Sequence, residues 1–171
     1  MAKGNIESKK GFTIIEVVLV LAIAGLIFLM VFVALPALQR SQRDTQRRND
    51  MSRLITAIQN YQSNNNNKIP YTYNSGISLD DNFIGNYLTV NGDSFNDPST
   101  GETYMLSKEK AIQCTNVECP NKSTGDDAAP GIIYAYISAK CNGENPEYIA
   151  GKSRIAFTIK LEGAGTYCAS N

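Results

Sequence analysis

The stretch Lys9-Lys10-Gly11-Phe12-Thr13-Ile14-Ile15-Glu16 opens an apolar run in which Val17 to Leu38 carry no charged or strongly polar side chain. As a helix, those 22 residues span roughly 30 Å of hydrocarbon. Two ordinary readings compete for such a segment. A cleavable secretory signal would use Lys9-Lys10 as its basic start and Ala22-Ile23-Ala24 as its cleavage site, yet the apolar run continues well past Ala24. A plain single-pass anchor accounts for the length but not for Glu16. A carboxylate in an apolar helix is unfavourable unless it is neutralised or paired, so it marks function. Glu16 lies four residues after Phe12, near the positive end of the helix dipole. A cut between Gly11 and Phe12 would create an α-ammonium for Glu16 to pair with, on its own chain or a neighbouring one. A charge that wants a partner inside an apolar helix is a self-assembly signal. Charge bias leaves the orientation open, because Lys9-Lys10 precede the run and Arg40, Arg43, Arg47 and Arg48 follow it.

Residues 9–16 resemble the processing signature of type IV prepilins. The resemblance implies that a prepilin peptidase cuts after Gly11 and N-methylates Phe12, and that Glu16 aligns incoming subunits during assembly. It also implies helix-softening positions in the apolar segment. Gly25 fits the first, while Pro36 lies later than the family's usual proline; proline removes a helical hydrogen bond and bends the helix. The expected organisation is a leader at 1–11, a transmembrane and filament-core helix at 12–38, its extramembrane half at 39–65, and a head at 66–171. The expected fold is α+β and type IV pilin-like: a long N-terminal helix, with a transmembrane lower half and an amphipathic upper half, packed on a small antiparallel sheet.

Beyond the apolar run, residues 39–50 contain no apolar side chain and no helix breaker. Arg40 with Asp44 and Asp44 with Arg48 are spaced as i,i+4 ion pairs. The arginines read as a solvated helix face or as packing between subunits. Met51, Leu54, Ile55, Ile58 and Tyr61 then fall on one helical face that needs a sheet to bury it. The helix should run from Phe12 to about Asn64 and stop in the asparagine run that follows.

In the head, Leu79–Ile84 suggests a short helical turn. Asp97-Pro98-Ser99-Thr100-Gly101-Glu102-Thr103-Tyr104 is a turn signal, and it looks like the D-P-x-x-G-x-x-Y element of pilins and secretion pseudopilins. Strands are predicted at Tyr104–Leu106, Ile132–Ile137, Ser153–Leu161 and Gly165–Cys168, with 114–131 and 141–151 as loops. Four cysteines, Cys114, Cys119, Cys141 and Cys168, lie in this part. Two disulfides fit an exported chain better than a Cys₄ zinc site, which usually shows tighter pairs. Three pairings are open. Placement favours Cys114 with Cys119, closing a small loop, and Cys141 with Cys168, stapling the tail to the sheet.

Composition excludes other chemistry. The chain has no histidine and no glycine-rich phosphate loop, and no nucleophile–base pair stands out, so an enzyme is not expected, nor is any cofactor or resident metal. The acids Asp80, Asp81, Asp93, Asp97, Glu102, Asp126 and Asp127 lack EF-hand spacing. Net charge is +0, distributed as about +1 over 1–38, +3 over 39–64 and −4 over 65–171; direct nucleic-acid binding is therefore not expected of the acidic head. Asn121-Lys122-Ser123 matches the N-x-S acceptor pattern. The expected partners are further copies of the chain, the prepilin peptidase, the pilus assembly platform, and the membrane before assembly. The chain would be a single-pass membrane protein first and an extracellular pilus subunit afterwards. Adhesion, twitching motility and DNA uptake are all open to such a filament. A type II secretion pseudopilin and a non-polymerising membrane-anchored binding ectodomain are the alternatives.

Overall fold

A computed structural model describes residues 11–70, 83–106, 111–125, 128–151, 153–163 and 165–171. The leader residues 1–10, most of the Leu79–Ile84 turn, and Asp80, Asp81, Asp126 and Asp127 lie outside them. The chain divides into two units, Met1–Gln39 and Arg40–Asn171, and helix α1 (Ile14–Asn64) contributes residues to both.

α1 begins two residues later than the apolar pattern suggested, because Thr13 caps it. The Thr13 amide and hydroxyl both donate to Glu16 Oε2 at 3.0 Å, and the Glu16 amide donates to Thr13 Oγ1 at 3.3 Å. This reciprocal capping box satisfies amides that the first helical turn cannot pair internally. Pro36 sits inside the helix without ending it. The asparagine run does end it: Asn66 and Asn67 take left-handed backbone angles, φ 52° and 59°, and the Asn67 amide closes on the Gln62 carbonyl at 2.8 Å.

The second unit holds a sheet built on β3 (Ile132–Ile137), β6 (Ile155–Lys160) and β7 (Thr166–Ser170), which are antiparallel neighbours. Two short strands, β1 (Met105–Leu106) and β2 (Ile112–Gln113), line the other edge of β3 and run parallel to it. The predicted all-antiparallel sheet is thus corrected to a mixed one of five strands. Parallel pairing needs a crossover of about a dozen residues or more, and residues 114–131 supply it. A second correction concerns 141–151, predicted as loop: β4 (Ala139–Asn142) and β5 (Asn145–Tyr148) form a hairpin there. Ser138, at φ 56°, turns the chain out of β3 into β4, and Gly143, at φ 61°, opens the two-residue turn where a side chain would be strained.

Both faces of the central sheet are covered. Ile155, Phe157 and Ile159 of β6, with Ile133 and Ala135 of β3, pack against Met51, Leu54, Ile55 and Ile58 of α1. Alternation along the strands sends Ala156 and Tyr136 to the opposite side, where they meet Ala139, Cys114 and Cys168. Phe83, Phe95 and Tyr104 complete the helix-side core, with Tyr61, Phe83 and Tyr87 in mutual ring contact at 5.5–5.6 Å.

Candidate functional site

In the first unit the residues singled out from sequence share one short exposed segment. Phe12 is 89% exposed, and a side chain placed on Gly11 would meet nothing within 4 Å. The Gly11–Phe12 peptide therefore lies open to an enzyme. Glu16 is exposed on the first turn, held by Thr13 as described. From Val17 to Leu38 the large apolar side chains are exposed, and among the described residues α1 is one helix long and apolar enough to cross a membrane. Gly25 and Pro36 both lie within helical backbone.

Residues 8–32 match the family model of the prokaryotic N-terminal methylation motif. The chain carries the type IV prepilin-like signature. That signature supports a pilin- or pseudopilin-like, membrane-anchored precursor, and it implies processing by a prepilin peptidase and assembly into a pilus-like polymer. The family is one of structural subunits. No curated protein and no solved structure matches the chain.

In the second unit of this prepilin-like chain, polar groups gather where the sequence suggested solvent. Arg47 has no exposed surface. Its Nε donates to Asp97 Oδ2 at 2.7 Å, and its Nη2 to Asp97 Oδ1 at 3.0 Å, Ser99 Oγ at 3.0 Å and Glu162 Oε1 at 2.9 Å. Nη1 reaches Asp44 Oδ1 at 3.2 Å. Arg43 joins through Nη2 to Glu162 Oε2 at 2.6 Å. Asp44 also accepts the amides of Glu162 and Gly163, each at 2.8 Å. A Cβ on Gly163 would stand 3.0 Å from Asp44 Oδ2, so only glycine permits this approach.

The reading of these arginines as a solvated face, or as packing between subunits, is therefore corrected for Arg43 and Arg47, which pair within their own unit. Asp44 also pairs with Arg47 at i,i+3 in place of the expected i,i+4 partners Arg40 and Arg48. Arg48 instead lies over the Tyr167 ring, 5.0 Å from its centroid.

The D-P element closes this network. The Gly101 amide donates to the Asp97 carbonyl, the Asp97 amide donates to the Glu102 carbonyl, both at 2.8 Å, and the Tyr104 hydroxyl donates to Asp50 Oδ2 at 3.0 Å. Burial alone would push the Asp97 carboxyl up, but bonds from Arg47 and Ser99 outweigh it and hold it at about 2. Bonds from Arg43, then Arg47, keep Glu162 below its ordinary value against its partial burial. Burial raises Asp50, against the opposing bonds from Tyr104 and Arg53. Chemically, this is a clasp between helix and head: each charge is matched by a neighbour. Among the described residues no three metal-ligating side chains gather.

The disulfides are Cys114–Cys119 and Cys141–Cys168. Cys141 lies on β4 and Cys168 on β7, so that bridge ties the hairpin to the central sheet. Sequence reasoning missed Asp44, Arg47, Asp50 and Glu162. A signal for the first two was present: 44, 47, 51, 54 and 58 continue the same three-four spacing as the apolar stripe.

Proposed function

We propose that this chain is the structural subunit of a type IV pilus. In this reading residues 1–11 are a leader, a peptidase cuts between Gly11 and Phe12, and the new Phe12 amine is methylated. Residues 12–38 anchor the precursor in the membrane and then form the filament core, residues 39–65 continue the helix outside the membrane, and residues 66–171 form the surface head. The observation that carries the reading is Glu16, the one carboxylate at the entry to a 22-residue run free of charge, directly after the match to the methylation motif. Cleavage places a cation four residues from it, and the capping bonds of Thr13 keep the carboxylate at the helix end where that cation appears. An ammonium of a neighbouring subunit then completes the pair, which aligns the incoming chain. Gly25 and Pro36 are proposed to soften the helix on assembly, since glycine lowers helix propensity and proline removes a backbone donor.

Mass spectrometry of the N-terminal peptide from material sheared off cells tests the proposal. A peptide beginning at Phe12 and heavier by one methyl group supports it. A start at Gly25 points to conventional signal-peptide cleavage, and an intact Met1 in a chain confined to membranes points to a simple anchored ectodomain; either result overturns it. Processed protein that stays cell-associated and absent from sheared filaments favours the pseudopilin alternative.

A further inference from the structure

From Arg40 to Asn64, α1 distributes its charges in an unusual way. Asp44, Arg47 and Asp50 are buried, and Arg43 and Arg53 are half-buried. Arg43 and Arg47 bind Glu162 and Asp97, while Arg53 donates to the Leu88 and Ser94 carbonyls. The side turned away from the head carries Thr45, Asn49, Ser52, Thr56, Gln59 and Ser63, all exposed and all uncharged. A solvent-facing helix side normally carries charge, which keeps like surfaces apart. Here the charges point inward and the neutral groups outward.

A second feature concerns the hydroxyls. Thr45, Ser52, Thr56 and Ser63 each donate to the carbonyl four residues earlier, at 2.9–3.0 Å. Their donors are satisfied without water, so covering them leaves no unpaired hydroxyl proton. The row's alternating spacing of four and three residues is the one that lets two helices interlock side chains.

We propose that this row packs against the same row of a second copy of the chain. A charged partner finds no counter-charge on it, and lipid chains would leave the Asn49 and Gln59 amides unpaired. A like row offers amide donors and acceptors in kind and brings no repulsion. The head elsewhere exposes Asp93, Glu102, Glu118, Glu144 and Glu147, acids that oppose contact between copies. The contact rests on the polymerising reading above and adds to it a surface independent of Glu16.

All four cysteines are disulfide-bonded, so a single new cysteine gives a unique thiol. Full-length chains carrying Thr45→Cys, Ser52→Cys or Gln59→Cys, singly and in pairwise mixtures, would be treated with a bismaleimide spanning about 10 Å, the separation of packed helices. Both membranes and sheared filaments would be sampled. Dimer yield is expected to exceed that of Glu147→Cys, on the hairpin, by ten-fold or more. Equal yields overturn the contact. Filaments without this crosslinking overturn it while leaving the pilus reading intact; crosslinking in membranes without filaments does the reverse. Ser52→Glu is expected to lower filament yield at least ten-fold with an unchanged melting temperature, and wild-type filament yield from that variant also overturns the contact.

Discussion

Arg47 and Asp97, fifty residues apart, meet through two hydrogen bonds of 2.7 and 3.0 Å, with neither side chain more than 1% exposed. Removing one partner of such a pair strands the other charge in the interior, at a cost of about 3–5 kcal/mol. Asp97→Ala and Arg47→Met are each expected to destabilise by that order. The double variant Arg47→Met/Asp97→Ala should be more stable than the sum of the two losses predicts, because no unpaired charge remains between these two positions. Urea unfolding of the detergent-solubilised full-length chain measures all three, and additive losses would refute the coupling.

Acid should unfold this clasp in a defined window. The folded-state value of Asp97 is about 2, below its ordinary 3.8. A lowered carboxyl contributes stability above its unfolded value and loses it as pH falls towards the folded value. The contribution is thus complete above about pH 4 and lost between pH 4 and 2, and is worth about 2 kcal/mol. Glu162 is lowered and acts in the same direction. Asp50 is raised, so its contribution is full below its unfolded value and declines as pH rises through the folded one. In Asp97→Asn the acid limb should flatten, and its stability deficit against the parent should shrink by about 2 kcal/mol between pH 6 and pH 2. A deficit constant across that range would exclude the assignment.

How far the sequence disclosed this arrangement depends on the kind of signal each element carries. α1 was legible because Met51, Leu54, Ile55 and Ile58 repeat with helical spacing. β3 and β6 were legible because Ile132–Ile137 and Ile155–Lys160 are rich in β-branched and aromatic residues. The β4–β5 hairpin was not, since Lys140, Asn142, Asn145 and Pro146 are poor strand formers. Pairing in a separate two-stranded sheet, with the bridge from Cys141 to Cys168, overrides their preference. Nor does composition reveal that β1 and β2 pair in parallel, because a two-residue edge strand takes its direction from the crossover that follows it. Arg47 read as solvated because arginine usually is. Its partners Asp97 and Glu162 lie 50 and 115 residues away, beyond the reach of local pattern. Gly11, Phe12 and Glu16 belong to one contiguous motif, so no folding was needed to bring them together.

The two disulfides should differ in worth. Loop-closure entropy grows with the number of residues enclosed. Cys141 and Cys168 are 27 residues apart, Cys114 and Cys119 only 5. Replacing the first pair by alanine is expected to cost about 3–4 kcal/mol, and the second about 2 kcal/mol. The first loss lowers Tm by on the order of 10 °C. The small loop also retains the Thr115 amide bond to the Glu118 carbonyl at 2.9 Å, which holds it closed without the bridge. Thermal melts of the two double variants rank them, and a larger loss from Cys114→Ala/Cys119→Ala would contradict the entropic account.

Asn121 matches a glycosylation acceptor in sequence, yet its side chain is fully engaged. Oδ1 accepts the Ser123 amide at 3.0 Å, capping the short helical turn at Lys122–Thr124. Nδ2 donates to the Glu144 carbonyl at 3.1 Å, Asn145 Oδ1 at 3.0 Å and Thr166 Oγ1 at 3.4 Å. Ser123 is fully buried, its hydroxyl bonded to that of Thr158. A glycan on Nδ2 replaces one of its hydrogens and forces apart the hairpin turn and β7, which those bonds hold together. Modification of the folded chain at Asn121 is therefore excluded sterically, and the acceptor pattern here serves packing. Intact-mass measurement of the mature protein should show no glycan at Asn121. Asn121→Asp, which keeps the cap but loses the donors, should cost about 1–3 kcal/mol. Asn121→Ala should cost more, because it also loses the cap, worth about 1 kcal/mol. A glycan found at Asn121 in the folded protein, or an Asp variant as stable as the parent, would show that this side chain does not tie the turn to the sheet.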